Sequence, residues 1–306
     1  MERDLKKIVS EMTLEEKAGM CSGLDFWHLK EVEHLGIPKV MVSDGPHGLR
    51  KQDEKGDHLG INDSIKAVCF PPAVLSACSF DRGLMEEMGK AIGREAQAND
   101  VSVVLGPAVN IKRSPLCGRN FEYYSEDPYL AGEIAAAFVK GVQSQHVGTS
   151  IKHFAANNQE DNRMFTNAHI SERALREIYL KGFEIAVKTA QPYAIMTSYN
   201  LINGTHAANH YDMLQNVARD EWGFEGFIMT DWYTSQDTTA LGMVSESGKY
   251  SYSDGVQCIK AGNDLQMPGC RKNVEDIVDG VKNGRITKAD LQRCAKHILG
   301  IALKTI

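Results

Sequence analysis

Residues 226–233 read GFIMTDWY, and the fold turns on how that run is read. Phe227 to Thr230 suit a buried strand, yet the run stops at once in a carboxylate and an indole, Asp231 and Trp232. Alone, Asp231 could be a strand-end cap or a chemical group. The second reading gains weight if other short apolar runs end the same way, because a barrel of parallel strands gathers the side chains at its strand carboxyl ends into one pocket.

Working outward, short apolar runs alternate with longer segments of helical period, the pattern of parallel strands joined by crossover helices. The expected strands are 37–43, 68–75, 101–105, 148–154, 193–199, 226–230 and, weakly marked, 264–267. Residues 81–98 place Leu84, Met88 and Ile92 on one helical stripe, and residues 171–190, opening at Ser171, place Leu175, Ile178, Tyr179 and Ala186 on another. Thr13 to Glu16 and Thr287 to Asp290 resemble capping boxes near the two ends. Seven such units over roughly 250 residues predict an α/β fold, a TIM-type (β/α)8 barrel, though an open doubly wound sheet would give much the same pattern. The barrel is expected as one domain over 1–306, including an N-terminal and a C-terminal helix. It is irregular or incomplete where the second and seventh strands are poorly marked.

Composition narrows the partners. The 306 residues are 42% hydrophobic, enough for a large core, and a net charge of −6 without a basic block argues against nucleic acid or an anionic membrane. Seven cysteines, at 21, 69, 78, 117, 258, 270 and 294, form no CxxC pair, which fits thiols in a reducing, cytoplasmic setting. The amphipathic N-terminus has no apolar signal core, and no apolar run approaches about 18 residues. The triplets at Asn203-Gly204-Thr205 and Asn62-Asp63-Ser64 match the glycosylation pattern, which is common by chance. The 245–255 stretch reads as a loop. Metal and cofactor templates fail: His206 and His210 lack an HExxH context, Gly83 to Lys90 is one residue too long for a phosphate loop, and no GxSxG or GxGxxG occurs. No metal and no cofactor are expected.

Polar residues do recur at the expected strand ends: Asp44 after the first, Arg119 after the third, Lys152 and His153 ending the fourth with Arg163 beyond, Met196 and Tyr199 ending the fifth, Asp231 and Trp232 ending the sixth. Each has a bland reading. Asp44-Gly45-Pro46 suits a turn, the 125–128 SEDP segment suits a helix start capped by Ser125, His153 alone suits a satisfied core histidine, and Met196 alone suits core filling. Lys152 is harder to explain as structure, because a buried ammonium is costly unless paired, and Asp231 is its natural partner.

The motifs SDGPHGLR, GRNFEYYSEDP, KHFAANNQEDNR, MTSYN and GFIMTDW, in that order, resemble the barrel domain of glycoside hydrolase family 3, in its β-glucosidase branch. The resemblance runs from about residue 10 to 306. It implies that Asp231 is the nucleophile of a retaining mechanism, forming a covalent glycosyl-enzyme. It further implies that Asp44 accepts hydrogen bonds from remote sugar hydroxyls, that Arg119, Lys152, His153 and Arg163 donate to others, and that Tyr199 orients the nucleophile. Met196 and Trp232 would offer the sugar apolar surface. The implied ligand is a small β-glucoside or oligosaccharide.

One feature departs from the pattern. That branch takes its acid/base Glu from a C-terminal α/β sandwich domain, which this sequence lacks, and the loop after the fourth strand lacks the His that another branch uses. Glu160 and Asp161 are the nearest carboxylates, and this segment is better read as positioning Arg163 than as an acid. The expectation is weak β-glucosidase-type activity for this chain alone, with a sandwich domain as partner or self-association in its absence. The alternative is a non-catalytic sugar-binding or isolated folding domain. A third reading, a complete enzyme, would need Glu160 or Asp161 as the acid.

Overall fold

The computed structural model describes residues 4–52, 63–239, 242, 244, 245 and 248–305. Asn62 of one glycosylation triplet, and Glu246 and Ser247 of the expected 245–255 loop, lie outside the described residues. Nine strands occur among the described residues: β1 (His28–Leu29), β2 (Val40–Asp44), β3 (Val103–Leu105), β4 (Gly148–Phe154), β5 (Asn167–Ala168), β6 (Ala194–Thr197), β7 (Leu201–Ile202), β8 (Thr205–His206) and β9 (Phe227–Thr230). The α-helices among the described residues are α1 (Leu5–Glu11), α2 (Leu14–Met20), α3 (Ala73–Ala77), α4 (Arg82–Ala98), α5 (Pro128–Gln143), α6 (Glu172–Ala174), α7 (Lys181–Ala190), α8 (Gly255–Ala261), α9 (Arg271–Lys282) and α10 (Lys288–Ala302), and a π-helix spans Asp212–Glu221.

Six strands form one curled sheet in the order β1-β2-β3-β4-β6-β9, parallel throughout except for β1. β4 and β9 are buried along their whole length, which is why β9 reads as a continuous rather than alternating apolar run. Beyond β9 the backbone pairing continues: Thr230 N donates to Leu265 O at 2.9 Å and Leu265 N to Ile228 O at 3.0 Å. Gln266 N donates to Cys21 O, and Gly23 N returns to Gln266 O, both at 3.0 Å. Leu24 N then reaches His28 O of β1 at 2.7 Å. The crossing at Gly23 is so close that a Cβ there would stand 2.7 Å from Met267 Sδ and 2.8 Å from Gly269 N, so only glycine fits. A small second sheet, β5-β7-β8, sits apart, its β7–β8 hairpin turned by Asn203 and Gly204 at φ +50° and +91°.

The helices pack outside the sheet. α4 and α5 approach closely because a Cβ on Gly89 would meet Phe138 O at 2.5 Å and one on Gly141 would meet Glu86 O at 2.2 Å. Both expected capping boxes form, at Thr13/Glu16 and Thr287/Asp290. Asp290 N donates to Thr287 Oγ1 at 3.1 Å and Thr287 N to Asp290 Oδ2 at 2.9 Å, starting a helix that buries Leu291, Ile298 and Leu299. Thr287→Ala is expected to cost about 1 kcal/mol, read as a lower urea midpoint at unchanged slope. An unchanged midpoint would show that packing alone holds α10.

Four expectations are corrected. Residues 68–75 are no strand: Pro71 and Pro72 offer no N–H to a ladder, and the chain instead enters α3 after Pro72. The weakly marked 264–267 run pairs only through single bridges rather than a regular strand. The 171–190 helix opens at Ser171 as expected but widens to a π turn over Leu175–Tyr179. Asp127, not Ser125, caps α5; the Ser125 hydroxyl instead accepts from Asp127 N at 3.0 Å. No helix among the described residues is long and apolar enough to cross a membrane.

Candidate active site

The parallel strands deliver their last residues to one edge of the sheet. Asp231 follows β9 directly and is 8% exposed. Its Oδ1 accepts the Trp232 N–H at 2.7 Å, and the Thr234 hydroxyl donates to its main-chain oxygen at 2.8 Å, so the chain turns tightly around the carboxylate. His153, the sixth residue of β4, brings Nε2 to 3.8 Å from Asp231 Oδ2. The Tyr199 phenol, past the end of β6, is directed at the same carboxylate; burial first and the Asp231 charge second push its pKa well above the ordinary value.

Lys152 corrects the sequence reading. Its ammonium pairs not with Asp231 but with Asp44 Oδ1 at 3.1 Å and Glu122 Oε1 at 3.3 Å. Neighbouring residues of β4 thus serve different partners, Lys152 turning to the β2 end and the loop after β3, His153 to Asp231. Glu122 is the group sequence reasoning missed. It is 5% exposed and accepts from Arg119 Nη2 at 2.6 Å and Nε at 2.8 Å as well as from Lys152. The available signal was its place three residues after Arg119 in a motif already singled out. Burial works against both charges, but for Lys152 the Asp44 and Glu122 carboxylates outweigh it and raise the pKa, and for Glu122 the two cations outweigh it and lower the pKa.

Arg163 reaches Glu160 Oε2 at 2.9 Å and lays its guanidinium 4.6 Å from the Tyr199 ring centre. Its pKa is raised: burial opposes the charge, and Tyr199, Asp231 and Glu160 overcome it. Arg119 likewise feels Asp231 and Glu160 besides Glu122. His153 is held well below the ordinary imidazole value by burial and then by the charges of Arg119, Lys152 and Arg163, so it is a neutral ring. Trp232 donates its indole N–H to Phe26 O at 3.0 Å and leans on Trp27 at 5.3 Å, forming an aromatic wall beside Asp231.

The structure therefore brings Asp44, Arg119, Lys152, His153, Arg163, Tyr199, Asp231 and Trp232 to one place. Met196 is 2% exposed within β6 and in register with Met229 of β9, two residues before Asp231 and so on the same face of the sheet. His206 and His210 flank a short 3-10 turn, Ala207–Asn209, and no group of three or more His, Cys, Asp or Glu side chains among the described residues could hold a metal ion.

A carboxylate flanked by arginines and a histidine at the carboxyl ends of parallel strands, walled by indole, is the arrangement of an α/β enzyme domain whose site lies at the strand ends. More particularly, the chain belongs to glycosyl hydrolase family 3: the family's N-terminal domain model matches residues 30–301. It is 51% identical over 97% of its length to thermostable beta-glucosidase B of Acetivibrio thermocellus and 49% identical over 97% to an exo-alpha-(1->6)-L-arabinopyranosidase of Bifidobacterium breve. It spans 37% of the length of each of those relatives. Among solved structures it resembles beta-glucosidase 3B of Thermotoga neapolitana in complex with alpha-D-glucose, with a TM-score of 0.88 at 41% identity, over 99% of this chain and 43% of that one.

Proposed function

We propose that this chain carries the nucleophile and the sugar-binding half of a retaining β-glycosidase site, on a single barrel of TIM type. The barrel reading is supported by the backbone pairing that runs from β9 through 265–266 and 21–24 to β1. The observation that carries the function is Asp231 with its neighbours. Its carboxylate faces His153 Nε2 at 3.8 Å and the Tyr199 phenol, with no Arg or Lys ion pair among the described residues, so it can attack an anomeric carbon and leave a glycosyl-enzyme. Asp44 and Lys152 suit the hydroxyls at the far side of the sugar. Arg119, His153 and Arg163 suit those nearer the nucleophile, Tyr199 orients Asp231, and Trp232 gives the ring an apolar face.

A retaining mechanism needs a second carboxyl about 5–5.5 Å from the first, able to give and take a proton. The described carboxylates around Asp231 are all engaged: Glu122 with Arg119 and Lys152, Glu160 with Arg163 and Asn157, Asp44 with Lys152 and Arg50. The acid/base is accordingly assigned to a group outside these residues, in keeping with relatives far longer than this chain. A sandwich domain is the proposed source. General acid–base help is typically worth about 10²–10⁴-fold, so the chain alone should turn over only substrates with good leaving groups.

Incubation with a 2-fluoro β-glucoside bearing an activated aryl leaving group tests this directly. Intact mass should rise by one fluoroglucosyl unit, and the adduct should map to Asp231. No adduct, with glucose still binding by calorimetry, would instead mark a non-catalytic sugar-binding domain. The high identity to the arabinopyranosidase favours a second reading of the sugar alone. An aryl α-L-arabinopyranoside, run in parallel, reports it by reacting faster than the glucoside.

A further inference from the structure

Asn157 Nδ2 lies 2.8 Å from the Tyr123 hydroxyl oxygen and 3.0 Å from Glu160 Oε1. Glu160 is ion-paired to Arg163 at 2.9 Å and can only accept, so the amide must turn its NH2 group that way. The second hydrogen of that NH2 then falls on the Tyr123 oxygen. With its oxygen accepting, the Tyr123 hydroxyl has its own hydrogen to give, and His153 Nδ1 stands 3.3 Å away. A neutral imidazole that accepts at Nδ1 carries its proton on Nε2, the nitrogen facing Asp231 Oδ2. We propose that Tyr123 and Asn157 are positioning residues that fix His153 as the Nε2–H tautomer, so that an N–H donor points into the site beside Asp231.

Three features make the direction of this chain firm. Tyr123 is 0% exposed and Asn157 and His153 are each 2% exposed, which leaves water little access to the links. The backbone of His153 is clamped, its N–H donating to Asn110 Oδ1 at 2.7 Å while its C=O accepts from Asn110 Nδ2 at 2.8 Å, so the ring cannot turn away as a unit. The opposite tautomer would aim an imidazole lone pair at the Asp231 carboxylate. At 3.8 Å the Nε2–H is too far to be consumed by Asp231 itself and stays available to a ligand hydroxyl between them. Part of the site is thereby set from Arg163, through Glu160, Asn157 and Tyr123.

The tautomer can be read without a substrate; its use in catalysis rests on the glycosidase reading above. In the full chain labelled with 15N-histidine, the His153 resonances are identified by their loss in His153→Gln. Near neutral pH the wild type should show an unprotonated Nδ1 and a protonated Nε2. Tyr123→Phe, which keeps the ring and removes the hydroxyl, should shift His153 toward a mixture of tautomers and slow fluoroglucosyl adduct formation about tenfold, the factor one lost hydrogen bond supports. A wild-type Nδ1–H signature overturns the proposal whether or not the variant folds. So does an unchanged tautomer in Tyr123→Phe, or a changed tautomer with an unchanged adduct rate. If the wild type forms no adduct, the glycosidase reading fails by itself, and the nitrogen shifts still decide the tautomer.

Discussion

Asp231→Gly is expected to lower the single-turnover release of phenolate from an activated aryl β-glucoside by about 10⁴-fold or more, the scale on which covalent machinery fails when its nucleophile is removed. The variant should form no adduct with the fluoroglucoside. Azide should then restore phenolate release and do so with a change of stereochemistry. A small anion can enter the space left by the carboxylate and attack the anomeric carbon from the same face, and nothing then displaces it, so the product is the α-glucosyl azide. The fold should persist, because the Asp231 side chain meets its neighbours through hydrogen bonds, from Trp232 N–H and the Tyr199 phenol, rather than through packing. Activity within tenfold of the wild type would transfer the nucleophile's role elsewhere. A β-azide would mean that azide takes over from the acid/base position instead.

The GFIMT run was legible because a central parallel strand is buried on both faces and so reads as unbroken apolar sequence; the strand covers Phe227–Thr230 and Asp231 follows it. Capping boxes were legible because their hydrogen bonds are local in sequence. What escaped was set by distant partners. Residues 264–267 look like poor strand material because Asp264 is polar, yet it is fully buried, held by Arg219 at 2.7 Å and His297 at 3.0 Å, while its Oδ2 also accepts the Ile228 N–H at 2.7 Å. The Asn203-Gly204 pair carried a hairpin signal that its match to a glycosylation triplet concealed. In the site, the strand-end residues were findable one motif at a time, but which cation meets which anion was not. Lys152 could be recognised as needing an anion; that the anions are Asp44 and Glu122 follows only from how the loop after β3 folds over β4.

Glu122→Gln should destabilise the protein by roughly 3–5 kcal/mol, the cost of breaking a buried ion pair by removing one partner. The amide keeps the size of the side chain but leaves Arg119 against a neutral group and Lys152 with Asp44 alone. The pH dependence separates this from a packing defect. Burial raises the Glu122 pKa, but Lys152 and Arg119 pull it below the ordinary value of 4.5, so its contribution is full above that value and disappears as pH falls through the lower folded pKa. Lys152 has the opposite sign: its folded pKa lies above 10.5, so its contribution is complete below that pH and fades as pH rises through the folded value. Between these limits wild type and variant should differ by a constant amount in urea unfolding. Toward acid the gap should close, because a protonated Glu122 is as neutral as the glutamine that replaces it. A difference that stays constant down to the acid transition would assign the loss to shape rather than charge. The same substitution should weaken glucose binding even where the protein is folded, since Arg119 and Lys152 are aimed by the carboxylate they share. A variant that is destabilised yet binds glucose as the wild type does would mean that Asp44 and Glu160 suffice to place them.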